Sequence, residues 1–310
     1  MKSNAPFPTR AAGIISVGGG KGGIGKSTIA SGIGCQIGAL GKRVIVVDAD
    51  LAGPNLHLTM GIRYPEKTLN DFLTGKVTKL DDILLDTPHK NVKLVAGATG
   101  ISDTTDPRPI QKRRLMAAVS RLSADYVIVD IGAGADEDNT DFFSLSPNGL
   151  VIITNEPTSI ENAYGFLKNG LVRRFASLFE DAPDVKEAVI RFSNPKLGGY
   201  RKIGDIVAAT MSLYPDAAEK MKQLLKKYRP TLVVNMVRNR TDVQVEESFR
   251  RIVREYLCIE MVYVGYVVYD EAVVHSVRQI KPLSSQRDAK SVSCLTAIAR
   301  NILQIQGAAS

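Results

Sequence analysis

Short apolar runs recur along the chain, and segments with helical character separate them. The runs cover residues 13–17, 44–47, 92–96, 126–129, 150–154, 232–237 and 261–267. Runs of this length that are bounded by turn residues predict buried strands. Because strands and helical segments alternate, the pattern predicts an α/β fold with a doubly wound, mostly parallel sheet and helices on both of its faces.

The segments between these runs have the composition and spacing of helices. The first is rich in small residues, and the last places its apolar side chains on one face. We predict helices over residues 29–40, 68–73, 111–122, 217–228 and 287–303. In the third of these we expect the basic cluster Lys112-Arg113-Arg114 to be solvated.

The turn after the first run has the composition of a phosphate-binding loop. From Gly20 to Ser27 it fits the template G-x-x-x-x-G-K-[ST], between a predicted strand and a predicted helix. Glycines let consecutive backbone N–H groups converge on phosphate oxygens, and the helix N-terminus adds partial positive charge. Lys26 can reach the β- and γ-phosphates, and the Ser27 hydroxyl can ligate Mg²⁺. The predicted nucleotide contacts are Gly20, Gly22, Gly23, Ile24, Gly25, Lys26, Ser27 and Thr28.

Aspartates follow two of the predicted strands. Asp48 and Asp50 come after the second run, and Asp130 comes after residues 126–129. Carboxylates at the C-terminal ends of parallel strands lie at the ligand-binding edge of the sheet. We therefore predict that Asp48 and Asp130 hold the Mg²⁺ shell together with Ser27, and that Asp50 orients the attacking water.

Composition limits the remaining choices. The chain has 310 residues and a formal net charge of +8, which leaves DNA or an anionic lipid surface open as a partner. Its cysteines, Cys35, Cys258 and Cys294, are far apart, so we expect neither a disulfide framework nor a zinc site. The sequence has no apolar run of membrane-spanning length, and the first ten residues lack the apolar segment of a signal peptide. We expect a cytoplasmic protein, with a peripheral position at the inner membrane left open.

One residue in the loop carries a family resemblance. Lys21 gives the sequence Lys-Gly-Gly-Ile-Gly-Lys-Ser-Thr, which resembles the deviant Walker A motif of the MinD/ParA ATPases. The resemblance implies that Lys21 crosses to the nucleotide of a partner subunit. The Glu-Pro-Thr-Ser-Ile stretch at residues 156–160 resembles the FlhG/FleN branch of that family. A core of this type has fewer residues where 178–229 lie, so we predict one P-loop NTPase domain over residues 1–310 with a helical insertion at about 178–229.

The same resemblance implies further ligand contacts. Asn55 matches an asparagine of the switch I segment, whereas His57 replaces an expected aspartate and is interpreted as a surface or helix-start histidine. Asn235 corresponds to an adenine contact, and Tyr269 and Asp270 lie in the loop that corresponds to the other side of the base. A rival interpretation is open, because residues 239–242 loosely resemble a guanine-reading motif, although Arg240 replaces its lysine.

The function that the resemblance implies is a Mg²⁺-dependent ATPase that binds ATP and ADP. Lys21, Lys26 and Asp50 would be its catalytic residues. It would form a nucleotide-dependent homodimer, hydrolyse ATP slowly and act on an unidentified regulatory partner that sets the position or number of a cellular structure. Two alternatives stay open: a ParA-like DNA-segregation ATPase and an ATP-dependent amide-forming synthetase.

Overall fold

The computed structural model describes residues 13–98, 109–283, 286 and 289–307. The N-terminal segment 1–12 and the predicted start of the last helix at residue 287 lie outside the described residues. The strands are β1 (Gly13–Gly18), β2 (Val44–Ala49), β3 (Leu85–Asp86), β4 (Val92–Val95), β5 (Tyr126–Ile131), β6 (Leu150–Ile153), β7 (Thr231–Val237) and β8 (Val262–Val268).

The helices occupy the segments between these strands. They are α1 (Lys26–Ala39), α2 (Leu56–Thr59), α3 (Leu69–Leu73), α4 (Pro109–Val119), α5 (Glu137–Ser144), α6 (Pro157–Ser177), α7 (Pro183–Ser193), α8 (Ile203–Leu213), α9 (Pro215–Lys227), α10 (Arg240–Leu257), α11 (Glu271–Gln279) and α12 (Lys290–Gly307). None of the described helices combines the length and the apolar character that a membrane span needs.

All the described strands belong to one sheet with the order β3-β4-β2-β5-β1-β6-β7-β8. The short strand β3 is antiparallel to β4, and every other pairing among the described strands is parallel. The predicted doubly wound α/β fold is therefore confirmed. The strands β2 and β5 are each two residues longer than their apolar runs, because they continue to pair through Asp48 and Asp130.

Both faces of the sheet are buried, as a parallel sheet requires. In β2, Ile45 and Val47 belong to one core cluster, while Val44 and Val46 belong to the other. The second cluster is covered by α1 and α12, which approach closely because α1 contains glycines. A Cβ at Gly32 would lie 2.6 Å from Leu295 Cδ1. The small-residue composition of α1 is therefore a packing requirement.

The region 178–229, predicted to be a helical insertion, contains α7, α8 and α9. Their apolar side chains, including Val189, Ile206 and Met221, are buried in the same cluster as Val127 of the sheet. These helices therefore extend the core on one face of the sheet. That the region is an insertion into the core of a family fold stays a prediction.

The prediction that the cluster at residues 112–114 is solvated is wrong for Lys112. This side chain is 8% exposed, and its Nζ donates to Asp138 Oδ1 at 2.5 Å and to Asp141 Oδ2 at 2.7 Å. Asp141 is also paired with Arg173 of α6, at 2.8 Å. The network joins α4, α5 and α6, and the sequence could not show it because the partners are more than 25 residues away.

We expect Lys112→Met to lower the free energy of unfolding by about 2 kcal/mol, because Asp138 loses its counter-charge and Asp141 keeps only Arg173. Arg113→Met changes the exposed neighbour and is the matched control, with an expected change below about 0.5 kcal/mol. Urea unfolding measures both variants. Equal costs for the two variants would contradict the assigned role of the Lys112 network.

Candidate functional site

The loop between β1 and α1 has a backbone that only glycine adopts without strain. Gly20, Gly23 and Gly25 have φ values of 74°, 77° and 84°, in the left-handed region. A Cβ at Gly20 would lie 2.4 Å from the carbonyl oxygen of Asn162 in α6. No side chain caps α1 at Gly25, so the first N–H groups of this helix are available to an anion.

Lys26 folds back over this loop. Its Nζ donates to the carbonyl oxygen of Lys21 at 2.9 Å, and the side chain is buried. Burial lowers the pKa of Lys26, while the nearby carboxylates of Asp130 and Asp50 oppose that shift. A partly desolvated ammonium group above a ring of backbone N–H groups is suited to hold phosphate oxygens.

Asp48 and Asp130 lie side by side in register on β2 and β5, and both are buried. Burial raises the pKa of Asp48 to about 7, although the backbone N–H groups of Leu56 and Asp50 donate to its carboxylate at 3.0 Å and 3.2 Å. Burial, and then the neighbouring Asp48, raise the pKa of Asp130 well above its usual value. Two carboxyl groups in this arrangement cannot both ionise without a compensating cation.

The site fits a divalent cation. Asp130 Oδ1 is buried and has no hydrogen-bond partner among the described residues, while a hydrogen bond from Ser27 favours the charged form of Asp130. Carboxylate and hydroxyl oxygens are ligands that Mg²⁺ prefers in proteins. The residues predicted for the metal, Ser27, Asp48 and Asp130, are therefore brought together at one edge of the sheet.

Asp50 joins two loops at this edge. Its Oδ1 accepts hydrogen bonds from the N–H groups of Ala52 at 3.1 Å and Gly53 at 2.9 Å. The same oxygen is 3.0 Å from where a Cβ at Gly132 would lie, so a side chain at position 132 would collide with it. A cavity of about 480 Å³ opens beside Asp50 and Gly132, which leaves room for a water next to the carboxylate.

Asn139 is a site residue that the sequence analysis missed. Its Nδ2 donates to the carbonyl oxygen of Ala133 at 2.8 Å and to Asp136 Oδ2 at 2.7 Å. Asp136 caps α5 by accepting from the N–H of Asn139 at 2.9 Å. Asn139 thus holds the glycine-containing loop after β5. An aspartate at the N-cap is a local signal for this cap, but the contact with Ala133 is not visible in sequence.

Lys21 is engaged within its own subunit. Its Nζ donates to Glu156 Oε2, and to Thr158 Oγ1 at 2.8 Å. The Lys21 side chain is 29% exposed and that of Glu156 is 55% exposed, so the ion pair is accessible to water and its breakage costs little. Glu156 and Thr158 belong to the stretch that resembles the FlhG/FleN branch, but no local pattern connects them with Lys21, which lies 135 residues from Glu156.

The predicted base contacts have several local roles. Asn235 is buried, and its Nδ2 donates to the carbonyl oxygen of Ile24 in the phosphate loop at 2.7 Å. Tyr269 is 44% exposed, and the guanidinium of Arg238 lies 4.5 Å from the centre of its ring. Asp270 caps α11 through the N–H of Ala272 at 2.9 Å and accepts the Ser291 hydroxyl at 2.8 Å. The predicted contacts of these residues with a base stay predictions.

Asn55 and His57, at the start of α2, differ from each other in solvent exposure. Asn55 is exposed and stands at the N-cap of α2, where its side chain makes no capping bond. His57 lies in the first turn of α2, as the helix-start interpretation predicted, but the interpretation of it as a surface or satisfied side chain is wrong. Its side chain is 7% exposed, and its Nδ1 has no hydrogen-bond partner among the described residues. Burial lowers the pKa of His57, which favours the neutral ring.

The rival guanine motif is used in a helix cap. Asn239 and Asp242 form a capping box at the start of α10. Asp242 Oδ2 accepts from the N–H of Arg238 at 2.8 Å, and Asp242 Oδ1 accepts from Asn155 Nδ2 at 2.8 Å. Both oxygens of the carboxylate that would read a guanine edge are therefore already engaged.

Comparison with known proteins agrees with this geometry. The family model of the CobQ/CobB/MinD/ParA nucleotide binding domain matches residues 15–283. The chain belongs to this family. The resemblance to MinD/ParA proteins is thereby confirmed. Among curated relatives, the antiactivator FleN of Pseudomonas aeruginosa is 34% identical over 157 residues, which cover 50% of this chain and 55% of FleN. The chain thus spans about half the length of the curated relatives it matches.

Solved structures show the same fold at lower identity. MinD of Pyrococcus horikoshii, complexed with Mg-ADP, has a TM-score of 0.63 and 17% identity, and covers 96% of this chain and 98% of that chain. MinD in the MinC:MinD complex of Aquifex aeolicus has a TM-score of 0.60 and 18% identity, over 94% of this chain and 96% of that chain. At these identities the likeness shows the fold alone.

The raised pKa values make the stability of the metal-free protein depend on pH. Between about pH 4 and about pH 7 the folded chain binds more protons at Asp48 than the unfolded chain does, since the usual aspartate pKa is near 4 and that of Asp48 is about 7. Stability should therefore fall as the pH rises through this window. Above it, Asp48 carries a buried charge next to Asp130, whose own pKa is also raised.

We expect Asp130→Asn to raise the melting temperature of the metal-free protein at pH 8, because a neutral amide replaces one of two adjacent buried carboxyl groups. At pH 5 the gain should shrink, since the wild-type carboxyl groups are then protonated. The added stability that Mg²⁺ and ADP confer on the wild type should be lost in the variant. Differential scanning fluorimetry measures all three effects, and a variant that Mg²⁺ and ADP stabilise as much as the wild type would exclude Asp130 from the metal site.

Proposed function

We propose that the protein is a Mg²⁺-dependent ATPase that works as a nucleotide-controlled dimeric switch. The observation that carries the proposal is the meeting of Lys26, Ser27 and the Asp48–Asp130 pair at one sheet edge, beside a loop shaped for phosphates. Mg²⁺ bound there would offset the charge of the two carboxylates and of the phosphates of a nucleoside triphosphate. Asp50 stands next to that position with space for the attacking water.

Adenine is the base that the surroundings favour. The carboxylate of Asp242 is used in the cap of α10, so it is not free to accept from a guanine edge. Asn235 is tied to the phosphate loop, and it thereby joins the end of β7 to the nucleotide site. The exposed ring of Tyr269, stacked on Arg238, offers a flat surface of the kind on which a purine packs.

Dimerisation follows from the position of Lys21. In the single subunit it pairs with Glu156 and Thr158, and both contacts lie at the exposed rim of the site. The phosphates of a nucleotide in a second subunit would give its ammonium a stronger charge-assisted contact. Two subunits that exchange this lysine form a two-fold interface that closes at a dimer. ATP has one phosphate more than ADP and holds such an interface more firmly.

The role of the switch is inferred from relatives. FleN is named as an antiactivator, and a MinD of the same fold is found in a complex with MinC. We infer that this protein likewise engages a regulatory protein in one nucleotide state and releases it in the other. Such a switch would regulate the position or number of a cellular structure.

We expect Lys21→Ala to bind ATP but to remain monomeric, because the lysine that would reach the second nucleotide is gone. Analytical ultracentrifugation with a non-hydrolysable ATP analogue measures this, and the wild type should shift toward a dimer. Lys76→Ala is the control, since Lys76 is 75% exposed and pairs with Asp71 at the surface. Dimerisation of Lys21→Ala to the wild-type extent would refute the crossing lysine.

We expect Asp50→Ala to lower ATP turnover by about 100-fold, the low end of what a positioned acid–base group contributes. ATP affinity should change little, because Asp50 is not among the proposed Mg²⁺ ligands. Phosphate release and nucleotide titration measure the two quantities, with Asp86→Ala as a control at an exposed carboxylate. If ATP binding is lost together with turnover, Asp50 has a different role.

A further inference from the structure

A second cavity lies away from the nucleotide edge. It has a volume of about 370 Å³ and is bounded by the loop after β5, the middle of α6 and the end of α7. Ala135 belongs to that loop, Lys168 and Val172 belong to α6, and Ile190 and Asn194 represent the third wall. The catalytic scheme proposed above does not use this cavity.

Charged side chains of both signs line this cavity: Glu137 of α5 is paired with Arg173 at 3.1 Å, whereas Lys168 has no ion-pair partner among the described residues. Lys168 is half-buried, and no described acidic side chain forms an ion pair with it or with Arg201. Burial lowers the pKa of Lys168, and the positive charge of Arg201 lowers it further. Arg173 also lines the cavity, but its guanidinium is neutralised by Asp141 and Glu137. A half-buried ammonium group beside a like charge is stabilised by an anion that reaches it.

On the α6 wall, Val172 packs against the core. The opposite wall, at the end of α7, combines Ile190 with the polar Ser193 and Asn194, and Ile190 is 47% exposed. The surface continues from Asn194, whose carbonyl oxygen accepts from the N–H groups of Leu197 and Gly199, both at 3.0 Å. Leu197 is 65% exposed. A cationic pocket therefore adjoins an apolar ridge that other described residues do not cover.

Tyr200 fixes this ridge to the end of α7. Its N–H donates to the carbonyl oxygen of Phe192 at 2.7 Å, and the two rings lie edge to face at 6.2 Å. Tyr200 is still 43% exposed, and Arg201 follows it directly. The segment 190–202 contains Arg191, Lys196, Arg201 and Lys202 and has no acidic residue. Lys202 is paired with Glu255 at 3.6 Å, so the positive charge beside the exposed apolar surface comes from Arg191, Lys196 and Arg201.

We propose that this cavity and ridge bind an acidic, partly apolar peptide segment of a protein partner, with a carboxylate in contact with Lys168. The ammonium group of Lys168 would attract a carboxylate of the peptide. The exposed side chains of Ile190, Leu197 and Tyr200 would contact apolar side chains of the same peptide. A peptide fits better than a small anion, because a small anion would leave the ridge uncovered. The loop that carries Ala135 also borders the nucleotide edge, so the site identifies where the proposed switch meets its partner.

The proposal rests on the switch function only for its link to nucleotide, and the test uses nucleotide-free full-length protein so that the two can fail separately. The probe is a fluorescein-labelled ten-residue peptide of alternating Glu and Leu, and the same peptide with Gln in place of Glu is the reference. Fluorescence anisotropy should show binding of the acidic peptide at least about 10-fold tighter than binding of the reference, a difference of about 1.4 kcal/mol.

Lys168→Gln should remove about 10-fold of this affinity, a loss that corresponds to about 1.4 kcal/mol, because the charged contact is lost. Lys220→Gln changes an exposed lysine of α9 in the same region and should bind like the wild type. Ile190→Ser tests the apolar wall independently and should weaken binding several-fold, with thermal unfolding to confirm that each variant is folded.

Equal affinity for the two peptides, or equal losses in Lys168→Gln and Lys220→Gln, would overturn the proposal. Binding of inorganic phosphate at Lys168, detected as a shift of its NMR signal, without binding of the acidic peptide would also overturn it in favour of a small-anion site. Loss of peptide binding in Lys168→Gln and Ile190→Ser, with Lys220→Gln unaffected, would support it.

Discussion

The parallel register of β2 and β5 is the constraint on which the site depends. It places Asp48 beside Asp130 in a buried position, where two like charges cannot both be tolerated. Since β1 lies on the other side of β5, the phosphate loop and Ser27 reach the same place. The strand order thus places the two buried carboxyl groups, which a cation would neutralise, next to the loop and the Ser27 hydroxyl that would hold a nucleotide and its metal ion.

Close packing makes the loops at this edge depend on one another. Gly20 lies against the carbonyl oxygen of Asn162, and Gly132 lies against the carboxylate of Asp50, so a side chain at either position would force its neighbour to shift. A shift of one loop therefore has to move its neighbour. The Lys21 contact with Glu156 adds an accessible link between the phosphate loop and the start of α6. A ligand that reorders the phosphate loop can be sensed by α6 without a large conformational change.

The helices behind the site extend this connection. Lys112 of α4 and Arg173 of α6 both pair with Asp141 of α5. These ion pairs join α5 to α4 and α6. The same α6 lines the cavity at Lys168. Ion-pair networks and packed side chains of this kind can carry coupling between two sites. This arrangement gives the proposed partner site a physical path to the nucleotide edge.

The sequence by itself determined the described strands other than the two-residue β3, the phosphate loop and the acids at the strand ends, because these depend on local spacing and on the burial of short apolar runs. The family followed from Lys21 and its neighbours for the same reason. Tertiary structure decided which groups meet: Lys112 with Asp138, Lys21 with Glu156 and Asn139 with the loop after β5. It also decided that His57 is buried and that Lys168 lines a cavity. Such contacts join residues that are distant along the chain, or they depend on which face of a helix a side chain occupies. Local sequence patterns do not predict either.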